Sequence, residues 1–136
     1  MLLAVSLYFV WIAALINPLY FMQRTGIDKI AFHEHELLDY TTRRLEAEVP
    51  DIRIFGKAPG KCAIISFLIG NEHHYDVGML LDKLGIAVRT GHHCAQPLMR
   101  SLGIEGTVRA SFAIYNTQEE ADRFVEAVKR VSAMLQ

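Results

Sequence analysis

Cys62-Ala63-Ile64-Ile65-Ser66-Phe67-Leu68-Ile69 is a continuous apolar run bounded by Lys61 and Gly70. A run of that length, closed by a breaker, suits a buried central strand better than a helix. Such a strand folds only if neighbouring segments pair with it and cover it. The search for those segments organises the rest of the chain.

Upstream, Ile27, Ile30, Ala31, Leu37, Leu38, Thr41 and Leu45 recur at helical spacing, with Lys29, Glu36, Arg43 and Arg44 mostly off the stripe. This predicts one amphipathic helix from about Gly26 to Glu48, stopped before Pro50. Ile52-Arg53-Ile54-Phe55 alternates as a strand does, and Gly56 to Gly60 reads as a turn. Downstream, Val77, Leu80, Leu81 and Leu84 predict a short helix ended by Gly85. Ile86-Ala87-Val88 follows as a short strand, and Pro97 to Leu102 as a short helix ended by Gly103. In Val108 to Phe112, Arg109 and Ser111 share one face while Val108, Ala110 and Phe112 share the other. Thr117 with Glu120 makes a capping box for a last helix striped with Ala121, Phe124, Val125, Val128 and Leu135. The expected fold is α+β: a three- to four-stranded antiparallel or mixed sheet covered by helices on one face.

The net charge of -1, without a basic block, gives no electrostatic case for nucleic acid. Cys62 and Cys94 are too few for a disulfide framework and fit a reducing, cytoplasmic compartment. Cys62 is expected as a small core or strand-end residue. His33 and His35 are two apart on a helix, so they face different directions and suit solvated positions. His73, His74, His92, His93 and Cys94 follow no standard zinc spacing, so no metal site is expected.

Residues 1–22 carry no charge and approach the length of a membrane span. Arg24 follows, Trp11, Tyr8 and Tyr20 suit an interface, and Asn17-Pro18 would interrupt a helix. A membrane anchor, a buried or dimer-forming helix and the scar of a truncation remain open for this segment. Residues 23–136 are expected to form the folded domain.

The stretch Arg89-Thr90-Gly91-His92-His93-Cys94-Ala95-Gln96-Pro97-Leu98-Met99 concentrates the chemistry. Cys94 follows an arginine and two histidines and precedes a proline suited to a helix start. Cations and helix N-termini favour the thiolate, the nucleophilic form of cysteine. Two fates fit these residues: a reactive thiol on a loop, or a small buried apolar side chain.

Arg89 to Met99 resembles the active-site loop of the SufS/CsdA-type cysteine desulfurases, the class II branch that includes selenocysteine lyases. Val108-Arg109-Ala110-Ser111-Phe112-Ala113-Ile114-Tyr115-Asn116-Thr117 resembles the second signature of that aminotransferase class V group. The likeness runs from about Gly26 to Gln136, and residues 1–22 do not share it. It implies the small C-terminal domain of a fold-type-I enzyme using pyridoxal phosphate (PLP). It implies that Cys94 takes sulfur from L-cysteine as a persulfide, leaving alanine, for iron-sulfur cluster assembly. Arg109 would hold the substrate carboxylate, a task that suits the guanidinium fork, and Arg89 would serve as a further active-site cation. A sulfur-acceptor protein is the implied partner, and a homodimer the implied assembly of the full-length family.

The family's PLP lysine is not found. Lys29, Lys57, Lys61, Lys83 and Lys129 all lack its Ser-x-His-Lys context. No cofactor is therefore expected on this chain alone, which would be inactive without a PLP domain. Two functions follow: the C-terminal part of a desulfurase, or a non-catalytic persulfide carrier or partner-binding module of a sulfur-transfer system.

Overall fold

The computed structural model describes residue 14 and residues 16–135. Helical residues precede Gly26, whose φ of 93° separates them from the next helix while its N–H reaches the Met22 carbonyl at 2.9 Å. The elements that follow are α1 (Ile27–Glu48), β1 (Ile52–Phe55), β2 (Ile64–Ile69), α2 (His74–Lys83), β3 (Arg89–Gly91), α3 (Gln96–Ser101), β4 (Thr107–Ser111) and α4 (Gln118–Leu135). The chain divides into two compact units between His33 and Glu34.

In the first unit, Ile16, Leu19, Tyr20, Phe21, Ile27 and Phe32 are exposed. Among the described residues no helix is long and apolar enough to cross a membrane. Most of the uncharged segment, residues 1–13 and 15, lies outside the described residues.

The second unit holds the sheet. Its order is β1-β2-β4-β3, with every neighbouring pair antiparallel. The apolar run thus becomes a central strand, as its composition requires, although its regular part starts at Ile64. Ile65, Phe67 and Ile69 of β2 and Val108 and Ala110 of β4 point to one face. There they meet Leu38 and Leu45 of α1, Val77 and Leu81 of α2, and Phe124, Val125, Val128 and Val131 of α4. Phe124 sits edge-on to Phe67 and Phe112, with centroids 6.0 and 6.3 Å apart. The expected α+β architecture is what forms.

The capping box closes as read: Glu120 N–H donates to Thr117 Oγ1 at 3.3 Å, and Thr117 N–H to Glu120 Oε2 at 3.1 Å.

Three local expectations need correction. The α1 stripe is buried only in its C-terminal half, at Leu37, Leu38, Thr41 and Leu45; Ile27 and Ala31 are exposed, being N-terminal to the part of the helix that the core takes in. Ile86-Ala87-Val88 is not a strand. Gly85 turns with φ 77° and Ile86 N–H bonds to the Leu81 carbonyl, so Ile86 and Val88 pack on the core as a connector. Pairing begins at Arg89, where β4 first lies alongside. Cys62 is exposed rather than part of the core, although it does stand just before β2.

Candidate active site

The face of the sheet away from the core is built by alternation. With Val108 and Ala110 turned inward, Thr107, Arg109 and Ser111 project to the other side. Register sets what stands next to Arg109. Arg89 lies directly opposite on β3, and Ser66 opposite on β2. Two guanidinium groups therefore share one cross-strand pair, an arrangement that like charge disfavours. Neither arginine has an ion-pair partner among the described residues. Arg109 Nε is buried without a hydrogen-bond partner. A buried orphan donor of this kind is unusual, and a bound anion is one way to satisfy it.

At the end of β3, Gly91 pairs with Thr107 and the chain turns. A Cβ at Gly106 would come within 2.6 Å of the Gly91 carbonyl carbon and 2.7 Å of His74 Nε2. Only glycine there lets the β3 edge close against β4. His92 to Ala95 then form a tight turn, with Cys94 exposed, and α3 begins at Gln96 with Pro97 in its first turn. Cys94 is therefore not a small buried apolar side chain but an exposed thiol on a turn.

His93 is half-buried, and its Nε2 lies 3.1 Å from Thr107 O and 3.0 Å from Thr107 Oγ1. Burial, then the charges of Arg109 and Arg89, lower its pKa below 6.5, against the raising effect of the Thr107 contact. Burial and the neighbouring His73 likewise lower that of His74. The His73 and His74 rings stack 4.3 Å apart, and His73 Nδ1 accepts the Tyr75 N–H to cap α2. No group of three or more potential metal ligands converges among the described residues.

The sequence-predicted residues thus fall into one neighbourhood: Arg89 and Arg109 as a cross-strand pair, and Cys94 on the turn leaving that pair. Arg89 stands on a strand, not in the loop to which its sequence context assigned it. His93, Thr107 and Gly106 were not singled out as site residues. Nothing in their spacing marks them, because their relation is set by a pairing across 14 positions.

The aminotransferase class-V family model matches residues 8–124. The chain belongs to that family. The match begins well before Gly26, inside the uncharged segment, so the likeness reaches further toward the N-terminus than the two motifs alone suggest. A probable cysteine desulfurase of Mycolicibacterium paratuberculosis is 49% identical over 118 residues, covering 87% of this chain and 17% of that protein. A cysteine desulfurase of Salmonella agona is 50% identical over 110 residues, covering 81% of this chain and 27% of the relative. The chain thus spans about a quarter or less of these relatives' length. Among solved structures, the apo cysteine desulfurase of Thermococcus onnurineus superposes with a TM-score of 0.79 at 36% identity, over 85% of this chain and 29% of that one. The cysteine desulfurase CsdA of Escherichia coli gives 0.78 at 35% identity, over 85% and 28%.

Proposed function

We propose that these residues are the sulfur-accepting part of a cysteine desulfurase, with Cys94 as the thiol that becomes a persulfide and Arg109 as the ligand of the substrate carboxylate. The observation that carries this reading is an exposed thiol on the turn leaving a cross-strand arginine pair whose guanidinium groups have no ion-pair partner among the described residues. The net reaction is L-cysteine plus the Cys94 thiol giving L-alanine plus the Cys94 persulfide. A sulfur–sulfur bond forms, the substrate carbon–sulfur bond breaks, and a hydrogen takes the place of sulfur on carbon. Arg109 presents two parallel N–H groups to a carboxylate, and Arg89 opposite adds a second positive charge.

The family's cofactor, PLP, is held in its enzymes through a lysine. No lysine stands on β3, the Cys94 turn, α3 or β4. Lys57 is paired with Glu46, and Lys129 with Glu48 and Glu126. These residues do not fit the cofactor. The 136 residues alone are inactive on free cysteine, and a PLP-bearing part of a longer enzyme completes the site. A sulfur-acceptor protein then relieves Cys94 of its sulfur, in a cytoplasmic homodimer that feeds iron-sulfur cluster assembly.

Two incubations test the reading. With L-cysteine and PLP, the chain gives no alanine. With a small-molecule persulfide, Cys94 gains one sulfur atom, seen by peptide mass, and the Cys94→Ala chain gains none at that peptide. Alanine formed by the chain alone would overturn the dependence on a PLP-bearing part. A Cys94 that takes up no sulfur would overturn its role.

A further inference from the structure

His93 and Cys94 both have positive φ, 52° and 58°, and the Ala95 N–H closes the turn onto the His92 carbonyl at 2.8 Å. Positive φ at both central residues is the mark of a type I′ turn, which prefers Asn-Gly. Histidine and cysteine each lose of order 1–3 kcal/mol by standing there, and such conformations persist only where the surroundings over-determine them.

The bonds inside the turn are local: Ala95 N–H to His92 O, and Cys94 N–H to His92 Nδ1 at 3.1 Å. Either could survive if the turn swung as a unit. The side-chain contact that leaves the turn is His93 Nε2 to Thr107, whose residue is 1% exposed and two positions from Arg109 on β4. The Thr107 hydroxyl could donate to a bare Nε2, but its carbonyl oxygen only accepts, and a buried Nδ1 without a partner is better left bare than protonated; the tautomer that fits both contacts carries the proton on Nε2 and donates to Thr107 O. The neutral ring then has a bare, buried Nδ1, and that atom has no partner. Burial and the two nearby arginines favour this neutral form.

We infer that His93 is a positioning residue: through its Nε2–H on Thr107 it locks the left-handed turn that holds Cys94 next to the strand of Arg109. The inference rests on reading Cys94 as the sulfur-accepting thiol, but its test involves no sulfur chemistry. A glutamine amide nitrogen can take the place of His93 Nε2, whereas a leucine side chain donates nothing to Thr107.

Nitrogen-15 NMR on the 136-residue chain supplies two readouts. The first needs no variant: the His93 ring is the Nε2–H tautomer. The second is the amide order parameter of residues 92–95, expected near 0.8 in the wild type and in His93→Gln, and below about 0.6 in His93→Leu and His93→Ala. A wild-type ring protonated on Nδ1 instead would overturn the assignment. So would a turn that stays rigid in both His93→Leu and His93→Ala, or one that loosens as much in His93→Gln as in His93→Ala. A rigid turn whose Cys94 takes up no sulfur would sink the proposed function and leave the role of His93 standing.

Discussion

Two charged regions of this domain are built to opposite rules. Along the seam between α1 and α4, positive and negative groups interlock. Arg44 Nε meets Glu48 Oε1 at 2.6 Å and its Nη1 meets Asp122, while Lys129 Nζ bridges Glu48 at 2.9 Å and Glu126 at 3.1 Å. Tyr40 donates its hydroxyl to Asp122. On the far face of the sheet, Arg89 and Arg109 stand opposite each other, and neither has an ion-pair partner among the described residues. The seam is internally neutralised and belongs to the fold. The arginine pair is not, and a missing counter-charge of this kind is what the proposed carboxylate role of Arg109 requires.

The comparison breaks hardest where the sheet face itself is closed. Gly106→Ala puts a methyl group against the Gly91 carbonyl carbon at 2.6 Å and His74 Nε2 at 2.7 Å. The first yields only if β3 moves, and the second only if the His74 ring or α2 moves. A loss of about 1–3 kcal/mol is expected in denaturant unfolding. A loss under about 0.5 kcal/mol would mean that the β3 edge, and with it the arginine pair, is loosely held.

The same substitution made in both regions separates them next. Arg44→Met takes the cation from Asp122 and one of two from Glu48, which keeps Lys129, and lowers the melting temperature at pH 7, less so in high salt. Arg109→Met removes a like-charge neighbour and an orphaned buried Nε, so stability stays within about 0.5 kcal/mol of wild type or rises. Equal losses at the two positions would erase the distinction.

Much of this was legible in the sequence, and the reason is locality. The Thr117–Glu120 capping box, the central apolar strand and the outward face of Arg109 are fixed by residues within four or five positions of one another. What escaped depends on distant pairing. The last sheet strand begins at Arg89, not Ile86, because β4 arrives alongside only there. Cys62 looked apolar by its neighbours, yet it lies before the paired part of β2 and is exposed. His73 caps a helix through its ring, a role that serine, threonine, aspartate or asparagine normally fills. The Thr107 anchor of His93 has no local signature at all.

Acid should reach the two regions in separate steps. The neutral His93 ring is favoured by burial and by Arg109, Arg89 and His74, with Thr107 opposing. Its folded pKa lies below the unfolded 6.5, so the unfolded chain binds more protons as pH falls below that value. The stability it contributes is full above about pH 6.5 and declines below it. His93→Gln removes its share of that decline. Glu48, held by Arg44 and then Lys129, is lowered from 4.5 to about 2. Its contribution is full above about pH 4.5 and is lost as pH falls toward 2. Glu48→Gln flattens that lower limb and leaves the upper one. Melting temperatures taken from pH 8 to pH 2 give both; a single limb that both substitutions flatten together would show that the two regions titrate as one.

The smallest effect expected is also the most direct probe of the missing counter-charge. Inorganic sulfate is expected to bind the folded arginine pair and not the unfolded chain. At a concentration equal to its dissociation constant it stabilises by RT ln 2, about 0.4 kcal/mol, or roughly 1–2 °C in melting temperature. Sulfate also stabilises folded proteins generally by exclusion from their surfaces. The informative quantity is therefore the difference between wild type and Arg109→Met over the same sulfate series. A saturating increment in wild type, superposed on a shared linear rise, places the anion between Arg89 and Arg109, and Arg89→Met should remove it as well. Parallel lines for all three chains would mean that the two guanidinium groups, though opposite in register, do not converge on a common anion, and the carboxylate role of Arg109 would lose its physical basis.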